Sequence, residues 1–179
     1  DLTHGNTLKL IISFCIPLIG GAIFQQLYNV VDTMIVGRFV GVDALAAVGS
    51  TGNLTNLVVN FYVGLSTGAS VVIAQYYGAH NKDKIHQAVH TSYMLAIVSG
   101  IIMMLFGLFF SYQCLDAIGV PHDILNDASL YMRLYFLGMI PGAIYNIGSG
   151  ILRAVGDSKR PLYYLIICSI VNVVFDFVL

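Results

Sequence analysis

The chain has 179 residues, of which 58% are hydrophobic and only 9% charged, with a mean hydropathy of +0.83 and a formal net charge of -1. An ordinary soluble domain, with about 25% charged residues, is excluded on these values. The near-zero net charge gives no ground for a nucleic-acid partner.

Five apolar stretches, at residues 10–37, 44–77, 85–115, 129–154 and 161–179, each approach the roughly 20 residues needed to cross a bilayer. They predict an all-α, polytopic transmembrane helix bundle of about five helices. The chain starts without Met and stops inside its fifth stretch, so it reads as part of a longer protein. Lys9, Lys82, Lys84, Arg153, Lys159 and Arg160 fall at the start of the chain and after the second and fourth stretches, whereas Arg38 and Arg133 fall on the other side. By the positive-inside rule the N-terminus and those six bases are cytoplasmic. The segment holding Asp116, Pro121, Asp123 and Asp127 reads as an acidic loop on the outer side.

The first stretch carries Pro17 followed by Gly20 and Gly21, a combination that loosens a membrane helix. Its second half is unusually polar, and Gln25, Tyr28, Asn29 and Asp32 step by three or four onto one face. That face cannot meet hydrocarbon, because a carboxylate at membrane depth costs roughly 3 kcal/mol or more. In the second stretch Asn53, Asn56 and Asn60 form another polar stripe, which reads as glue between helices. The third stretch reads as structural. His86 and His90 at its start have a metal-like i, i+4 spacing but lack a third ligand, and read as a solvated face. Cys15, Cys114 and Cys168 show no paired spacing and read as small core residues.

The fourth stretch contains Pro141-Gly142, a predicted kink, and places Asn146, Ser149, Gly150 and Arg153 on a common face. Gly156-Asp157 signals a turn, and Pro161 suits the first turn of the next helix. The fifth stretch presents Asn172 and Asp176 at i and i+4, from where they can reach one bound ion together.

These residues carry a resemblance. Pro17, the segment Gln-Gln-Leu-Tyr-Asn-Val-Val-Asp-Thr-Met-Ile-Val-Gly, and Ala-Leu-Ala-Ala-Val-Gly at the start of the second stretch resemble MATE transporters, the multidrug and toxic compound extrusion proteins. So do Ile-Leu-Arg-Ala-Val-Gly-Asp-Ser-Lys-Arg-Pro and the final Asn-x-x-x-Asp. The resemblance implies a protein of the cell (inner) membrane with twelve helices in two lobes around a cavity of alternating access. Residues 1–179 would then be a partial N-terminal lobe, with helix 6 and the C-terminal lobe absent. It implies a secondary active antiporter exporting drugs or organic cations in exchange for Na+ or H+. The cation or proton site would fall on Asp32, Asn172 and Asp176. Gln25, Tyr28, Asn29 and Ser149 would line the substrate cavity. Partners would be the small-molecule substrate, membrane lipid and the missing lobe of the same protein.

Two nearby carboxylates in low dielectric cannot both stay charged and unpaired. Either a proton neutralises one, or a sodium ion is held by both with the Asn172 carbonyl, an all-oxygen set suited to a hard cation. No metal other than that Na+, no cofactor and no covalent chemistry are expected. A lipid-linked oligosaccharide or lipid flippase of related architecture is the alternative, but it should place bases inside its cavity. An intramembrane aspartyl protease is a remote one, because Ala154-Val-Gly-Asp157 lies in a basic loop and lacks the first Gly of the Gly-x-Gly-Asp pattern.

Overall fold

The computed structural model describes residues 7–178, with the side chains of 7, 39–40 and 176–178 outside that description. Within it the chain is helical throughout: α1 (Thr7–Ile35), a π-helical segment (Val36–Val40), α2 (Val42–Gly78), α3 (Lys82–Ala117), α4 (His122–Leu137), α5 (Met139–Ala154) and α6 (Lys159–Val178). Three spans, Leu8–Arg38, Val42–Gly78 and Lys82–Ala117, are long and apolar enough to cross a membrane, and α4 with α5 forms a bent fourth.

Each turn has a local cause. The π-helical segment closes with the Gly41 N–H donating to the Val36 carbonyl, and Gly41 has φ 123°, a conformation that residues with a Cβ rarely adopt. At the start of α3 the Asn81 side chain accepts from the Lys84 N–H at 3.1 Å, capping the helix. Before α6 the Asp157 carboxylate accepts from the N–H groups of Lys159 and Arg160, each at 3.2 Å. It also pairs with the Arg160 guanidinium at 3.2 Å.

The fourth apolar stretch differs from its sequence reading. Its helix begins at His122 rather than near 129, so Asp123 and Asp127 are helical and not part of a loop. It then breaks between Leu137 and Met139 with a bend of 51°, giving two helices where one kinked helix was predicted. Pro141 explains the position, because a proline ring collides with the carbonyl four residues earlier, here Leu137, and offers it no N–H. The break therefore falls one turn upstream of the proline. Through Pro17, by contrast, α1 continues as one helix.

Two regions follow from the packing. Helices α2 to α5 form a bundle around Tyr62, Ala96, Leu115, Leu125, Met132, Phe136 and Ile147, all nearly sealed from solvent. Small residues let these helices approach: a Cβ on Gly107 would collide with the Phe136 ring, and one on Gly150 would collide with Ser66 Oγ. Ser66 Oγ also donates across to the Asn146 carbonyl at 2.7 Å. The second region is the pair α1 and α6, which pack chiefly on each other. Only 6% of the α1 span is buried, against 22% for α2 and for α3.

Candidate functional site

Helices α1 and α6 run parallel, both rising from the end where the bases collect. A Cβ on Gly21 would sit 3.6 Å from Leu162 Cδ1 and 3.8 Å from Leu165 Cδ2. One to two turns further along, Phe24, Leu27, Tyr28 and Val31 share an apolar cavity of about 300 Å³ with Ser169, Ile170, Val173 and Val174. Continued by another turn, this register brings Asp32 level with the Asn172–Asp176 segment of α6.

The predicted residues differ in burial. Asp32, Tyr28 and Asn172 are half-buried, whereas Gln25 and Asn29 are exposed. Tyr28 and Asp32 are both engaged in polar or ring interactions. Asn29 Nδ2 donates to Gln26 Oε1 at 3.4 Å, and its carbonyl accepts from Thr33 Oγ1 at 2.7 Å. Asn172 Oδ1 is sealed from solvent with no hydrogen-bond partner among the described residues. A buried carbonyl oxygen left so is costly, roughly 1–3 kcal/mol, and a cation or a donor arriving there removes the cost. The Asp176 side chain lies outside the described residues, although its backbone belongs to α6.

Ser149 is not brought to this face. It is buried on α5 and lines a separate cavity of about 340 Å³ with Tyr93, Tyr145 and Tyr164, toward the basic end of the bundle. The Ser149 carbonyl accepts from Arg153 Nε at 3.2 Å. The Asn53, Asn56 and Asn60 stripe also departs from its reading. All three amides are exposed and make no side-chain hydrogen bond among the described residues, so they tie no described helix to another. The His86 and His90 rings lie 4.7 Å apart between centroids, tilted by 41°, on an exposed face, and no group of three metal-binding side chains occurs among the described residues.

One neighbour of Asp32 escaped the sequence. Tyr131 of α4 lies within electrostatic reach of the Asp32 carboxylate. Nothing in the sequence around Tyr131 marks it, because its relation to Asp32 depends on how the helices assemble and not on local spacing.

The MatE family model matches residues 17–178. The chain belongs to this family. A probable multidrug resistance protein of Bacillus subtilis, YoeA, is 33% identical over 160 residues, which is 89% of this chain and 35% of that protein. Among solved structures, an outward-facing multidrug resistance MATE transporter of the MOP superfamily covers 96% of this chain and 38% of its own, at 28% identity and a TM-score of 0.88. The inward-facing form of such a transporter covers 85% of this chain and 34% of its own, with a TM-score of 0.78. The chain thus spans between a third and two-fifths of the length of these MATE relatives. MATE proteins are integral membrane transporters, in keeping with the three long apolar spans.

Proposed function

We propose that a polypeptide of full family length carrying this chain is a secondary active antiporter of the cell membrane, exporting drugs or organic cations in exchange for Na+ or H+. The observation that supports this reading is the α1–α6 register, by which Asp32 lies level with a segment bearing a second carboxylate and a buried carbonyl oxygen that has no hydrogen-bond partner among the described residues. In low dielectric such a group of oxygens favours one added positive charge, whether a proton on Asp32 or Asp176 or a sodium ion held with Asn172. Occupation relieves repulsion between the acids and draws α1 and α6 together. An organic cation competing for the same charge binds less well once the ion is present, and by reciprocity it displaces the ion.

Gln25, Tyr28 and Asn29 then form the polar and aromatic wall met by the substrate, while Tyr131 acts as a donor poised near Asp32. The role of Ser149 is structural in this reading. No bond of the substrate is made or broken. The six bases, Lys9, Lys82, Lys84, Arg153, Lys159 and Arg160, support a cytoplasmic N-terminus by the positive-inside rule. The flippase alternative gains nothing here, since Arg153 and Arg160 are exposed at helix ends and Arg160 is paired with Asp157.

Efflux of a fluorescent organic cation from cells expressing the full-length protein tests this reading. Sodium and proton gradients are imposed separately, on wild type and Asp32→Asn. Efflux driven by one gradient and lost in the variant is expected. Efflux unchanged in the variant would make Asp32 structural, and none under either gradient would favour lipid flipping.

A further inference from the structure

A cavity of about 530 Å³ lies away from the acidic face, as an open groove between the C-terminal half of α2 and the N-terminal half of α3. Gly64 and Gly68 form part of its α2 wall, and a Cβ on either would meet no atom within 4 Å. The groove is therefore space left by side chains that these helices do not carry. Leu95 lines its inner part, while Tyr76 and Lys84 line the part nearest the tight α2–α3 turn.

From Tyr76 to Gly64 is twelve residues of α2, about 18 Å at ~1.5 Å per residue. That compares with the ~15 Å hydrocarbon depth of a single leaflet, half of a ~30 Å core. The charge and the phenol lie at the membrane boundary; deeper in, Gln87, Thr91 and Ser92 line the α3 side, where the Thr91 and Ser92 hydroxyls are bonded to their own helix, opposite Gly68, Leu65 and Gly64 of α2. Lys84 is exposed and forms no ion pair among the described residues. Asp83 lies about 100° around the helix from Lys84 and Lys82 about 160°, and neither lines the groove, so Lys84 is the charge that faces it.

We propose that this groove holds an anionic phospholipid from the leaflet at the basic end of the bundle. Its phosphate sits against Lys84 and the Tyr76 hydroxyl, and one acyl chain lies along Gly68 and Gly64. Basic recesses between membrane helices on the cytoplasmic side suit such headgroups. An organic cation fits poorly, because Lys84 at the mouth repels it.

The test uses the full-length polypeptide in detergent, equilibrated with dioleoylphosphatidylglycerol or dioleoylphosphatidylcholine, with retained lipid counted by native mass spectrometry. Wild type should retain the anionic lipid in preference. Lys84→Gln should lower that retention about fivefold, the effect of one lysine near a charged headgroup, and leave the zwitterionic lipid unchanged. Gly68→Leu should reduce retention of both; if it fails to fold, Lys84→Gln carries the test, because that side chain is exposed. A photoactivatable phosphatidylglycerol should label peptides within residues 64–95. Equal retention of the two lipids by wild type would overturn the proposal, as would retention indifferent to Lys84→Gln. Labelling confined to other peptides would mean that polypeptide covers the groove, and would overturn it as well.

Discussion

Within α2 to α5, Phe136, Leu125, Met132 and Ile147 are sealed among glycines and alanines on facing helices. Along α1 only Gly21 and Ile35 are buried among the described residues, and the polar face of the helix ends at a half-buried carboxylate. The first region ties facing helices together by hydrogen bonds, as where Ser66 Oγ donates to the Asn146 carbonyl. Each region holds one sealed polar oxygen without a hydrogen-bond partner among the described residues, the Tyr62 hydroxyl in the first and Asn172 Oδ1 in the second. Tight packing holds one arrangement, because close-packed interiors resist continuous deformation. A sealed carbonyl oxygen on α6, level with a carboxylate on α1, is where an arriving cation or donor would alter the contact between the two helices. The difference separates a frame, α2–α5, from a working pair, α1 and α6.

The sharpest way to break that contrast is to hollow out the frame. Phe136→Ala removes a fully buried aromatic ring and should cost about 3–5 kcal/mol of stability, read as a fall in the thermal midpoint of the full-length protein. The working pair should respond in function instead. Asp32→Asn should weaken coupling between ion and substrate by about 5- to 150-fold, the span of a 1–3 kcal/mol coupling energy, with an unchanged thermal midpoint.

Glycines sharpen the comparison further. Gly107→Ala drives a methyl into the Phe136 ring and should destabilise by about 1–3 kcal/mol, whereas Gly20→Ala enters open space on α1 and should not. The smallest effect belongs to Asn172→Ala. Removing a buried acceptor that has no partner among the described residues should not lower stability, since its desolvation cost is relieved, while ion-driven efflux falls. A large loss of stability in that variant would mean that Asn172 ties helices together and belongs to the frame.

The frame and the pair were unequally legible in the sequence. The helical character of all five stretches follows from composition, and the polar face of α1 follows from Gln25, Tyr28, Asn29 and Asp32 at helical spacing, because both are local properties of the chain. The break before α5 falls one turn ahead of the Pro141-Gly142 pair that signals it, since a proline acts on the carbonyl four residues before it. The Asn53, Asn56 and Asn60 stripe was read as glue because periodicity reports a shared face and not what lies opposite. Ser149 and Tyr131 depended on tertiary docking: one lies on a shared face of α5 that turns toward another cavity, the other on an unremarkable turn of α4 that comes within electrostatic reach of Asp32.

Hydrogen exchange measured by mass spectrometry on the full-length protein, with and without the coupling ion, tests the division most directly. Saturating ion should slow exchange in peptides covering 24–35 and 166–178 and leave those covering 58–66, 96–107 and 128–147 unchanged, and Asp32→Asn should abolish the response. An equal response in both regions, or one that survives Asp32→Asn, would contradict it.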